Sequence, residues 1–99
     1  MNLIKATLIK KQRIVYPEKA ITEIIVWQLP NKSTERPHGY KYRLNYCLHD
    51  GKSIVRYDNK SGKDDHKHLY QMEIPYQFIS LEKLIEDFNH DVERARKKL

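Results

Sequence analysis

The most constraining stretch of this chain lies between residues 39 and 58. Tyr40, Tyr42, Leu44, Tyr46 and Leu48 alternate with Lys41, Arg43, Asn45 and Cys47, and Asp50-Gly51 follows. A period of two is the signature of a strand with one face in a core and the other outside it. Asp-Gly supplies a hairpin turn, because both residues tolerate positive φ. With a two-residue loop, partners have numbers that sum to 101. Tyr46 then faces Val55 and Leu44 faces Tyr57, an apolar face, while Asn45 faces Arg56 and Arg43 faces Asp58, a polar one. A slip of one residue would mix Leu44 and Tyr46 with Arg56 and Asp58, so the pattern selects its own register.

The flanking segments fill in a small α+β domain. Residues 3–12 alternate loosely and suggest a strand, Pro17-Glu18-Lys19 a turn, and the β-branched and aromatic run 20–29 a second strand. Residues 30–38 read as a polar loop between two prolines. Residues 58–68 read as a polar loop after the hairpin, and 74–79 as a short strand that Pro75 places at an edge. Ser80 is a good N-cap. Leu81, Leu84, Ile85, Phe88, Val92 and Ala95 then form one helical stripe. The expected fold is a meander-like antiparallel sheet of about five strands with one C-terminal amphipathic helix on one face. The other face, carrying Lys41, Arg43, Asn45, Arg56 and Asp58, stays open to water or a ligand.

Ninety-nine residues make a single domain, 1–99, and exclude two catalytic lobes. The single cysteine, Cys47, excludes an internal disulfide and multi-cysteine metal sites, and reads as a small buried side chain. No apolar run reaches the ~18 residues of a membrane span, and residues 1–6 do not resemble a signal peptide, so no membrane partner is expected and the expected compartment is the cytosol. The net charge is +6. Residues 80–99 hold five acids and five bases, so the whole excess lies before them; residues 36–68 carry eight bases against four acids. A basic body points to a polyanionic partner, while the basic end of the helix answers the helix macrodipole. Four tyrosines, Tyr40, Tyr42, Tyr46 and Tyr57, fall on the apolar face and read as core rather than as base-stacking platforms.

His66 and His68 are the sharpest chemical feature. Alternate residues of an extended segment point the same way, so both imidazoles can serve one site, and imidazoles titrate near neutral pH. RNA cleavage by 2′-hydroxyl attack needs a base, an acid and cations for the phosphorane. Two histidines with Arg43, Arg56 and Lys63 supply these without a metal. Asp58 either pairs with Arg43 across the strands or orients a histidine. His-x-His with Asp64 and Asp65 also suits zinc or manganese. No second spaced ligand pair completes such a set, although His38 or Asp58 could fold nearby. No metal and no organic cofactor is expected.

The segments His-Gly-Tyr-Lys-Tyr-Arg-Leu at 38–44 and Arg-Tyr-Asp-Asn-Lys-Ser-Gly-Lys-Asp-Asp-His-Lys-His at 56–68 resemble the TumE-type toxins of bacterial and archaeal toxin–antitoxin modules. Tyr57, Asp58, Asn59, Gly62, Lys63, Asp65, His66 and His68 match the family pattern. So does the Pro-Tyr-x-Phe-x-Ser-x-x-x-Leu segment from Pro75 to Leu84. The usual glycine between Lys63 and Asp65 is Asp64 here, which adds a negative charge beside the histidines. The resemblance covers nearly the whole chain. It implies a cytosolic toxin held inactive by a cognate antitoxin, usually a helix-turn-helix protein, and it does not by itself supply a reaction.

The expected function is therefore a type II toxin acting as a metal-independent endoribonuclease. His66 and His68 are acid and base in unassigned order, Asp58 orients, and Arg43 and Lys63 stabilise the phosphorane. Lys41, Asn45, Arg56, Asn59 and Lys67 hold flanking RNA. A homodimer is allowed. The alternatives are a non-enzymatic toxin that binds RNA, the ribosome or an acidic protein through the same face, and a nucleotide-modifying enzyme dependent on a metal or a triphosphate.

Overall fold

A computed structural model describes residues 6–34, 36–59 and 64–98. In chain order they form β1 (Thr7–Val15), β2 (Ile21–Gln28), β3 (Tyr40–Cys47), β4 (Ser53–Asp58), β5 (His66–Leu69), β6 (Met72–Pro75) and α1 (Leu81–Lys98). Each strand pairs antiparallel with its sequence neighbour, giving a six-stranded meander in the order β1 to β6. The expected architecture is present, with one helix packed on one face of the sheet.

The β3–β4 register is the expected one from Arg43↔Asp58 to Tyr46↔Val55, but it is reached by a different route. The turn is longer by a residue. Leu48 N–H donates to Lys52 C=O at 2.9 Å, Gly51 N–H donates to Leu48 C=O at 2.8 Å, and Gly51 sits at φ +88°. This shifts the pairing at Cys47↔Ser53, and a bulge at Ile54 restores it. The bulge puts Ile54 and Val55 side by side in the core, both buried. The β1–β2 turn is built the same way, with Lys19 at φ +70°.

The larger difference lies after β4. Residues 66–68, expected to close a loop, form β5 together with Leu69. Residues 72–75 form β6, and 76–79, expected to continue a strand, are irregular. Tyr70-Gln71 makes the tight turn, with Tyr70 at φ +58°.

Ser80 caps α1. Its Oγ accepts from Lys83 N–H at 3.0 Å and its carbonyl accepts from Leu84 N–H at 2.9 Å. The helix buries Leu84, Phe88, Val92 and Ala95 against Ile24, Val26, Tyr42, Leu44, Tyr46, Val55 and Tyr57. The expected stripe is thus the buried one, and full burial of a side chain such as Leu84 or Phe88 stabilises by roughly 1.5–3 kcal/mol. The tyrosines read as core are core, although the Tyr40 ring lies at its margin. Cys47 is a free thiol, half-buried rather than enclosed. Among the described residues no helix is long and apolar enough to cross a membrane.

Candidate functional site

β3 to β6 align their outward positions into two rows on the face away from α1. One row is Arg43, Asp58, His66 and Pro75; the other is Asn45, Arg56, His68 and Glu73. Directly opposite residues of an antiparallel pair share a face, so the sheet register alone brings both histidines beside the arginines.

His66 sits at the centre and is 7% exposed. Its Nδ1 lies 2.9 Å from the Asp64 carbonyl, which only accepts, so Nδ1 carries a hydrogen. Its Nε2 faces Asp58 Oδ1 at 2.7 Å. The other Asp58 oxygen lies 3.1 Å from Arg56 Nε. Asp58 thus lies between His66 and Arg56, and it pairs with Arg56 rather than with the directly opposite Arg43. Among the described residues Arg43 makes no ion pair, and its side chain is exposed.

His68 is half-buried. Its Nε2 lies 3.2 Å from Glu73 Oε1, so that nitrogen donates, and its Nδ1 lies 3.2 Å from Arg56 Nη2, so that nitrogen accepts. Burial first, then the Arg56 guanidinium and the His66 ring, hold the His68 imidazole below the ordinary histidine range. The two rings are 5.1 Å apart between centroids. An open groove of about 500 Å³, lined by Asp64, Asp65, His66, Glu73 and Pro75, runs beside them.

Three of the expected site residues are not on this face, or are not placed. Lys67 lies between the two histidines in sequence and so points to the opposite face of β5. There its Nζ is 3.2 Å from Asp91 Oδ2 and 3.4 Å from the Tyr57 hydroxyl, tying the sheet to α1. Asn59 is wholly buried. Its Oδ1 accepts from Tyr42 N–H at 3.0 Å and its Nδ2 donates to Tyr40 C=O at 2.7 Å. Lys63 lies outside the described residues. Lys41 is exposed at the far end of β3, and the Asn45 side chain accepts from the Ser53 hydroxyl at 2.6 Å.

Two carboxylates were not anticipated in their positions. Glu73 reaches both histidines because the β5–β6 turn sets it opposite His68. The alternation of Leu69, Met72 and Ile74 against His68 and Glu73 carried that signal, but Tyr70-Gln71 lacks the usual turn residues. Asp65 is turned towards the helix side, where its Oδ2 accepts from the Tyr42 hydroxyl at 2.7 Å and from His38 Nε2 at 2.9 Å. His38 Nδ1 accepts from Tyr40 N–H at 3.1 Å, which fixes its tautomer, and the ring stacks on Phe78 at 4.0 Å. Two ring-to-carboxylate pairs thus bracket β5 from opposite faces.

A protein-family model described as Toxin TumE matches residues 5–96. No curated protein and no solved structure gives a match.

Proposed function

Because this chain belongs to the TumE toxin family, whose members act in toxin–antitoxin modules, we propose that it is a cytosolic toxin that cleaves RNA by proton transfer between its two sheet-face histidines. The observation that carries the reading is the pairing of Arg56 with His68 and of Asp58 with His66 on the open face. His68, neutral at the start, takes the proton of an RNA 2′-hydroxyl as that oxygen attacks phosphorus. His66, aligned by the Asp64 carbonyl and Asp58, gives its Nε2 proton to the departing 5′-oxygen. The products are a 2′,3′-cyclic phosphate and a 5′-hydroxyl. Arg43, Arg56 and Lys63 offset the charge that grows on the phosphorane.

RNA approaches from the β3 side. Lys41, Asn45 and Arg43 lie there, whereas Asp64 and Glu73 make the opposite flank acidic. Lys67 and Asn59 contribute through the fold rather than by touching RNA. Family membership implies a cognate antitoxin. We assign it the cationic sheet face, with acidic residues as its means of attachment and a helix-turn-helix protein as its expected form.

The test is brief induced expression with transcriptome-wide mapping of new 5′ ends, run for wild type, His66→Ala and His68→Ala. The expected result is new ends and growth arrest in the wild type alone, with both variants retaining native circular dichroism. Unchanged toxicity in both would remove the mechanism. RNA that is bound but left intact, with glutamine tolerated at both positions, is the outcome for the non-enzymatic reading.

A further inference from the structure

Two imidazoles and one carboxylate converge on a single point of the open face. Glu73 Oε1 lies 3.7 Å from His66 Nε2 and 3.2 Å from His68 Nε2, and the three residues' donor atoms all fall within 4.8 Å of one another. Zinc bonds of roughly 2.0–2.2 Å to nitrogen and oxygen make the edge of a tetrahedron about 3.3–3.6 Å. The observed separations straddle that edge, so small side-chain shifts bring all three donors onto one ion. His66 is already aimed. Its Nδ1–H is held by the Asp64 carbonyl at 2.9 Å, the arrangement that orients a metal-ligating histidine and leaves Nε2 to face the ion. Asp58, 2.7 Å from that Nε2, stands close enough to join as a further oxygen donor. The remaining side of the site is open, since the Glu73 side chain is 51% exposed.

We propose that His66, His68 and Glu73 bind a zinc-class divalent cation, and that the bound ion silences the toxin. Two imidazoles with one carboxylate suit zinc, copper or nickel, not magnesium or calcium, which prefer all-oxygen shells. The silencing half rests on the ribonuclease reading: a nitrogen bonded to metal can neither take nor give a proton. Each ring binds through an Nε2 lone pair: a charged His66 loses its Nε2 proton to solvent and keeps Nδ1–H, while neutral His68 moves its one hydrogen from Nε2 to Nδ1 as Arg56 turns away. Arg56, 3.2 Å from His68, repels the cation and keeps the affinity below that of a closed structural site.

The test titrates zinc chloride into the metal-free full chain by calorimetry. The expected result is about one equivalent bound, no heat with magnesium, and at least about tenfold weaker binding in His68→Ala and in Glu73→Gln. Thermal melts without zinc check that both variants fold. In the unmutated protein, ring-nitrogen NMR signals of His66 and His68 should move on titration. Binding unchanged in both variants, or shifts confined to His38, His49 or His90, overturns the site. In cleavage assays zinc should stop the wild type and a chelator restore it, while Glu73→Gln tolerates about tenfold more zinc. Cleavage that appears only with added zinc makes the ion a cofactor and overturns the silencing role. If no RNA is cut under any condition, the ribonuclease reading fails by itself, and the calorimetry still decides the site.

Discussion

Asn59 shows how a polar side chain can complete a sheet without belonging to a strand. β3 pairs with β4 only as far as Arg43↔Asp58, which leaves Tyr40 and Tyr42 without a β4 partner. The Asn59 amide takes that place, accepting from Tyr42 N–H and donating to Tyr40 C=O, while Arg36 Nε and Nη2 hold its own carbonyl at 3.2 and 2.9 Å. Asn59→Ala leaves two buried backbone groups unpaired, and the expected loss is on the order of 2–3 kcal/mol in urea unfolding. Asn59→Asp keeps the acceptor and loses the donor, and should not rescue the loss. This role was not legible in the sequence. Residue type gives the hydrogen-bonding capacity of an asparagine, but not whether its partner is RNA or the chain's own backbone. Lys67 is the contrasting case: its parity with His66 and His68 already put it on the other face.

Side chains at intervals along its length fasten α1 to the sheet. Tyr76 OH donates to Asp87 Oδ2 at 2.7 Å, Lys67 and Tyr57 hold Asp91, and Arg96 forms a two-pronged pair with Glu18 at 2.9 and 3.2 Å while its guanidinium lies over the Tyr16 ring. Burial alone would raise the Asp87 carboxyl, but the Tyr76 hydroxyl and Lys83 together bring it below the usual carboxylate range. A carboxyl lowered in the folded state contributes stability above its unfolded value, near pH 4, and loses that contribution as pH falls through the folded value. Asp87→Asn should therefore melt below the wild type at pH 6, and the gap should narrow at pH 3. The helix itself was fully legible, because its stripe, cap and charge order all agree. The β3–β4 register was legible too. The apolar pattern fixed it, and the longer turn and the Ile54 bulge cancel. The β5–β6 hairpin was hidden because Tyr70 adopts positive φ without being glycine or asparagine, and Glu73 was hidden with it.

At the scale of the molecule, one helix covers one face of a six-stranded sheet, and the acids of α1 balance its bases. The surplus of six positive charges is left to the sheet and its loops. Lys10, Lys11 and Arg13 lie along β1, an edge strand, where charge discourages pairing with another chain. On the open face Lys41, Arg43 and Arg56 are the cations of β3 and β4, beside the histidines, while Lys11 and Arg13 share that face farther out on β1. Counterion release ties the salt dependence of binding to the number of phosphates neutralised, with a slope of about −0.7 per phosphate for single strands. Three such contacts give a log–log slope of about −2. Arg43→Ala should make that slope shallower by about 0.7. Lys67→Ala should leave the slope unchanged while lowering the melting temperature, since its ammonium faces Asp91 rather than solvent-side RNA. Fluorescence anisotropy with a labelled single-stranded RNA across a salt series measures both. Equal slopes for wild type and Arg43→Ala would move the RNA off this face. A shallower slope for Lys67→Ala would place RNA beside the helix, where the histidines could not reach it.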